Sequence, residues 1–290
     1  NSLPVVISCA LTGAAADRKQ CSGIPYTPVE IAEEAKRAFD AGATIVHIHA
    51  RENDGSPSWR LPVFQAIREE VRKRCPILIN FSTGGIGQTI QERTEQVEHA
   101  SPDIAALNMG SMNYAVYSEK NRKFYLDEIF ANPFKDIILA LTRMKKAGVI
   151  PEMECFDAGH IANTAPLIHM GLLTPPFHFS LVLGVTGGIA ATAKSLKFMS
   201  EILPDNSTWQ VIGISRDQWW LCEEALKLGG NIRVGLEDNF YLPDGKTMAK
   251  NNGELVENAV RLVNKHGLKV ATLEETRQIC IHGNLPAKQP

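Results

Sequence analysis

Eight short β-branched or apolar runs, each followed by a longer amphipathic stretch, constrain the fold of this 290-residue chain more than any other feature. They occupy residues 5–10, 44–50, 77–83, 104–110, 150–157, 177–184, 209–215 and 231–237. Every gap between them can hold a crossover helix, which parallel pairing requires. The first helix starts at Thr27-Pro28-Val29-Glu30, with a Thr N-cap, Pro in the first turn and Glu three residues on. Ile31, Ala35 and Phe39 recur at helical spacing, and Gly42 stands where a C-cap glycine is wanted. Further helices are expected over residues 61–74, 88–99, 133–147, 159–170, 190–202, 218–228 and 253–266, with a last one at 272–281. Strict alternation predicts an α/β fold of the (β/α)8 TIM-barrel type. A doubly wound sheet would more often show about five or six strands and a G-x-G-x-x-G after the first. No such fingerprint occurs. Residues 1–290 are read as a single barrel domain with a C-terminal helical extension, and no low-complexity tract interrupts it before a short Pro- and Lys-containing tail. The segment 113–132, rich in Tyr, Lys and Asp, is the longest expected loop, placed to cover a site or reach a neighbouring subunit.

Composition narrows the function. Thirty Lys and Arg against 32 Asp and Glu leave a net charge of −2, and neither sign forms a block, so nucleic acid and anionic lipid are not expected partners. Small-molecule chemistry is the default. Cys9, Cys21, Cys75, Cys155, Cys222 and Cys280 stand singly with no C-x-x-C pair, which reads as reduced core residues in a cytoplasmic protein. Residues 1–6 lack the features of a signal peptide, and no run approaches the ~18 apolar residues of a membrane span.

In such a barrel the active site lies at the C-terminal strand ends. Strand parity puts His47 and His49 on one face, with Val46 and Ile48 on the other. The same parity groups Arg233, Gly235 and Glu237, with Asp238 opening the next loop. The last strand closes beside the first, so two imidazoles and a carboxylate can meet with a fourth position open, a composition typical of catalytic zinc. The competing reading is a hydrogen-bonded histidine pair and a Glu237–Arg233 ion pair. Asn80, Ser82, Asn108, Ser111, Glu152 and Glu154 supply a polar rim, with Glu154 open between substrate contact and ion pairing. Ser82-Thr83-Gly84-Gly85 and Thr186-Gly187-Gly188 place glycines after strands, where backbone N–H groups bind carboxylate or phosphate oxygens or simply form turns. At least five of His99, His160, His169, His178, His266 and His282 read as structural or surface residues.

Taken together these residues resemble the β-keto acid cleavage enzymes over nearly the whole chain. The resemblance rests on Thr12-Gly13-Ala14, His47-Ile48-His49, Asn80-Phe81-Ser82-Thr83-Gly84-Gly85, Leu107-Asn108-Met109-Gly110-Ser111, Pro151-Glu152-Met153-Glu154-Cys155-Phe156-Asp157, and Arg233-Val234-Gly235-Leu236-Glu237-Asp238-Asn239. It implies a Zn2+-dependent barrel that converts a β-keto acid and acetyl-CoA into acetoacetate and a new acyl-CoA. By the same resemblance His47, His49 and Glu237 are metal ligands and Arg233 with Asp238 is the proton-abstracting pair. Ser82, Thr83, Gly84, Gly85, Asn108 and Glu154 become substrate contacts, and a homotetramer is expected. One departure bears on the substrate. Members that accept amino-substituted keto acids place an acid just after the first turn, whereas this chain reads Ala14-Ala15-Ala16-Asp17. Arg18 and Lys19 follow, as solvated residues or as contacts for a second carboxylate, so neutral, dicarboxylic and cationic keto acids all stay open. A divalent-metal aldolase or hydrolase without CoA, and a non-catalytic metal-stabilised barrel, are the alternatives.

Overall fold

The computed structural model describes residues 3–282, so the Pro- and Lys-containing tail lies outside the described residues. The strands are β1 (Ile7–Ala10), β2 (Ile45–Ile48), β3 (Leu78–Ser82), β4 (Ile104–Asn108), β5 (Met112–Ser118), β6 (Lys123–Phe130), β7 (Ile150–Cys155), β8 (Phe177–Leu183), β9 (Ser207–Gly213) and β10 (Asn231–Val234). Eight of them close a parallel barrel in the order β1-β2-β3-β4-β7-β8-β9-β10. This is the predicted architecture, reached with each strand one to three residues shorter or shifted at its ends.

The side chains divide as a period of two demands. Val46, Ile48, Ile79, Phe81, Leu107, Phe179 and Leu181 pack outward in the main core, against the helices. Val6, Ile45, Leu78 and Ile104 form a separate apolar floor inside the barrel with Ala271, Ile279 and Cys280. Apolar floor and polar upper layers on the same strands leave the charged side chains at the C-terminal mouth.

The helices are α1 (Pro28–Ala41), α2 (Leu61–Arg74), α3 (Ile90–His99), α4 (Phe134–Ala147), α5 (Ala158–Ala162), α6 (Thr164–His169), α7 (Ala193–Glu201), α8 (Asp217–Lys227), α9 (Asn252–Lys265) and α10 (Leu273–Arg277). Thr27 and Glu30 form the capping box of α1, and Gly42 follows its end at φ 121°. Three expectations change. The helix expected over 159–170 is two short ones, α5 and α6. Pro166 lacks the N–H that would continue one helix through Asn163. The last helix is short and passes into a π-helical turn, Gln278–His282, which plugs the barrel floor through Ile279 and Cys280. The segment 113–132 is mostly an antiparallel hairpin, β5 and β6, because it is rich in the β-branched and aromatic residues that favour strands, Tyr114, Val116, Tyr117, Phe124, Tyr125 and Ile129. The Ala115 N–H donates to the Thr186 carbonyl at 3.2 Å, which folds the hairpin onto the mouth.

Candidate active site

Small residues on β1 create the site. Ser8 pairs with Arg233 on one side and Ile45 on the other, while Ala10 pairs with His47. Side chains from β2 and β10 therefore meet over a strand that contributes only a hydroxymethyl and a methyl group inward. The Nε2 atoms of His47 and His49 lie 3.6 and 3.4 Å from Glu237 Oε1. Thr12 holds His49 in place, its hydroxyl donating to the His49 carbonyl at 2.8 Å and accepting the His49 N–H at 2.9 Å.

Glu237 reaches this position by a turn and not by strand parity. The strand ends at Val234, and Gly235 has φ 140°. A Cβ on Gly235 would sit 2.1 Å from the Ala10 carbonyl oxygen, so the close approach of the two chains requires glycine. The Asp238 and Asn239 N–H groups then donate to the Gly235 carbonyl, and the Glu237 N–H donates to that of Ala10. Glu237 and Asp238 consequently both face Arg233, although they are adjacent in sequence.

Arg233 organises the carboxylates. Its Nε and Nη2 each donate to Asp238 at 2.8 Å, Nη2 also to Glu237 at 2.9 Å, and Nη1 to Glu154 at 3.3 Å. Burial works against its charge, but Asp238 and Glu237 outweigh that and keep the guanidinium protonated. Burial lifts Asp238 to about 6 against the pull of Arg233, which is a useful value for a base at neutral pH. Burial opposes ionisation of Glu237, yet the two imidazoles and Arg233 hold it well below the usual carboxylate range. Burial lowers His47 to about 3, so its ring is neutral, the form that ligates metals.

The donor set fits a divalent metal ion. One ligand atom from each of His47, His49 and Glu237 lies within 4.8 Å of the others. Glu237 Oε2 is buried without a hydrogen-bond partner among the described residues, a lone pair left over inside a charged cluster.

The rim residues divide. Ser82 and Asn108 are buried at the mouth, with Gly84 packed against both: a Cβ there would sit 3.3 Å from Asn108 Nδ2 and 3.4 Å from Ser82 Oγ. Glu154 faces Arg233, and burial pushes its carboxyl up to about 8, leaving it protonated. Thr83 has a fully buried hydroxyl that donates to the Ala106 carbonyl. Gly85 packs toward Trp59 and Gln88, away from Ser82 and Asn108. Gly187 and Gly188 approach the backbone of Asn113 and Phe156, so they seat the hairpin. Glu152 lies deeper, accepting from Asn80 at 2.8 Å and contacting His178 at 3.2 Å.

Two contributors carried no signal in the sequence. Tyr114 stands on the hairpin, where burial first and then the charges of Glu237, Glu154 and Asp238 push its phenol upward, so its ring covers the mouth. Arg51 braces the loop after β1, donating to the carbonyls of Thr12, Gly13, Ala16 and Gly55.

A sequence model of the beta-keto acid cleavage enzyme family matches residues 4–280. The chain is 40% identical to a 3-keto-5-aminohexanoate cleavage enzyme of Fusobacterium nucleatum, covering 95% of this chain and 97% of that one. It is 33% identical to a 3,5-dioxohexanoate:acetyl-CoA acetone transferase of Paraburkholderia graminis, covering 95% and 94%. A 3-oxoadipate:acetyl-CoA acetyltransferase of Cupriavidus necator is 32% identical, covering 95% and 94%. Among solved structures, a ternary complex of ObcA with a C4-CoA adduct and oxalate superposes with a TM-score of 0.73 at 22% identity, over 89% of this chain and 67% of that one, and so shares the fold.

Proposed function

Because the chain belongs to the beta-keto acid cleavage enzyme family, we propose that it is a zinc-dependent transferase converting a β-keto acid and acetyl-CoA into acetoacetate and a new acyl-CoA. The observation that carries this reading is the convergence of His47 and His49 on Glu237, which shares the Arg233 guanidinium with Asp238. His47, His49 and Glu237 would hold the ion. A bound Zn2+ supplies Lewis-acid stabilisation of the charge that develops when a β-keto acid is enolised.

The protein's own groups do the rest. Asp238 removes a proton from C2 of the keto acid, between its two carbonyl carbons, and the paired Arg233 N–H groups aim the carboxylate. Ser82, Asn108 and the Gly84 turn offer neutral polar groups to the substrate carboxylate, and protonated Glu154 contributes a further donor. The C2 carbanion attacks the acetyl carbonyl, forming a carbon–carbon bond. The thiolate of CoA moves to the former ketone carbon, and the C2–C3 bond breaks. Asp238 returns its proton to C2 as acetoacetate forms, so protons and carbons balance without a covalent enzyme intermediate. The buried thiols fit this scheme, since burial raises Cys9 and Cys155 and takes Cys280 to about 12, which leaves them unreactive. A cytoplasmic homotetramer belongs to the same proposal, supported by exposed Phe124, Tyr125 and Ile129 on the hairpin. No helix among the described residues is long and apolar enough to cross a membrane.

The test is acetoacetate release from metal-assayed protein given acetyl-CoA and a β-keto acid, with and without a zinc chelator. Release that needs both acetyl-CoA and metal is expected. Cleavage proceeding equally without acetyl-CoA would replace this reading with a CoA-independent metal aldolase or hydrolase.

A further inference from the structure

Resting on the proposed β-keto acid reaction, we infer that the substrate carries an uncharged, aliphatic distal chain, seated on an apolar wall of Phe156, Val182 and Ile212 at the β7–β9 side of the mouth. Strand register supports the location. Glu154 pairs with Ser180, Ser180 with Gln210, and Gln210 with Asn231, so these inward residues form one polar layer around the barrel. One pleat further toward the mouth the inward positions become Phe156, Val182 and Ile212 on β7–β9, while β10 presents Arg233. Those three form a cluster separate from the main core, extended by half-buried Met112, Tyr114, Val185 and Ile214. Tyr114 packs against this wall and feels the charges of Glu237, Glu154 and Asp238, so the apolar and polar groups adjoin at the mouth.

Most charged groups on the loop after β1 and at the β10 mouth are already engaged. Arg18 donates to Glu30 at 2.6 Å and stacks on Tyr26 at 4.1 Å. Arg51 is surrounded by four carbonyls. Asp17 caps its own turn through the Lys19 and Gln20 N–H groups. The Nε, Nη1 and Nη2 atoms of Arg233 face three carboxyl groups. Lys19 alone of the loop's cations is exposed without a partner, and it stands on the loop after β1, across the mouth from the wall. An ammonium or second carboxylate laid against Val182 and Ile212 would lose water against an apolar surface. A methylene chain loses nothing there.

Three six-carbon acids separate the cases: 3-oxohexanoate, 3-oxoadipate and 5-amino-3-oxohexanoate, each assayed with acetyl-CoA on the metal-loaded enzyme. The expected kcat/KM is at least 10-fold higher for the neutral acid, and a charged acid matching or exceeding it would overturn the inference. Calorimetric binding of the same acids without acetyl-CoA reads the preference independently of turnover. Absence of turnover with all three would refute the proposed reaction, while the order of Kd values would still decide the wall. In Val185→Lys, at a half-buried loop position, the ratio of 3-oxoadipate to 3-oxohexanoate should rise at least 10-fold. An unchanged ratio in that folded variant would remove the wall from substrate contact.

Discussion

Asp238 illustrates how one buried pair sets the chemistry open to the site. A bidentate guanidinium fixes its plane, while burial brings its carboxyl into the range where a base is both ionised and able to take a proton. Asp238→Asn should keep one bound metal ion per chain and the wild-type melting temperature within a few degrees, yet lose at least ~100-fold in kcat. Metal analysis beside steady-state rates checks this, and near-normal turnover would remove Asp238 from the mechanism. Arg233→Lys should lose a comparable factor, because an ammonium cannot hold two carboxylates in a planar fork. His47, His49 and Arg233 were legible in the sequence by the period of two. Thr83 was not: within Ser82-Thr83-Gly84-Gly85 nothing local says that one hydroxyl faces the mouth and the next one a carbonyl of β4.

At the scale of elements, the turn after β10 does what strand parity was expected to do. Gly235 lets β10 leave the barrel over Ala10 and present two consecutive acids to one guanidinium. Gly235→Ala would add a side chain at φ 140° against backbone, so a loss of at least ~2 kcal/mol is expected. Chemical denaturation with a parallel metal titration checks it, and both stability and metal affinity should fall together. The floor plug has its own pH dependence. Glu275 is held at about 2 by Lys269 and the Thr272 N–H, against an ordinary value of 4.5. A depressed carboxyl contributes stability that is complete above its unfolded pKa and is lost as pH falls through the folded one. The 273–282 segment should therefore loosen between about pH 4.5 and 2, as faster amide exchange there, and Glu275→Gln should flatten that dependence. Exchange in this segment that ignores pH across the window would contradict the account.

For the whole molecule, a metal held by His47, His49 and Glu237 would tie the closing strands of the barrel together across β1. Binding to the folded state alone should stabilise the protein by ~2.7 kcal/mol when the free ion is at 100 times its Kd. Thermal melts with and without chelator should show this increment, and His49→Ala should abolish it while leaving the apo melt nearly unchanged. A metal increment that survives in His49→Ala would place the ion elsewhere.

The order of eight strands, their inward faces and the histidine pair followed from residue order, because strand period and crossover length are local properties that each segment carries alone. The hairpin in 113–132 is not legible locally because its apolar residues are mixed with Lys, Asp and Glu and it is stabilised by docking on Thr186. Tertiary structure alone decided that Glu237 and Asp238 share Arg233, that Tyr114 covers them and that an apolar wall faces them. Arg233 and Glu154 lie 79 positions apart, the Gly235 turn is shaped by Ala10 on β1, and Tyr114 comes from the hairpin, so only barrel closure brings these parts within contact distance.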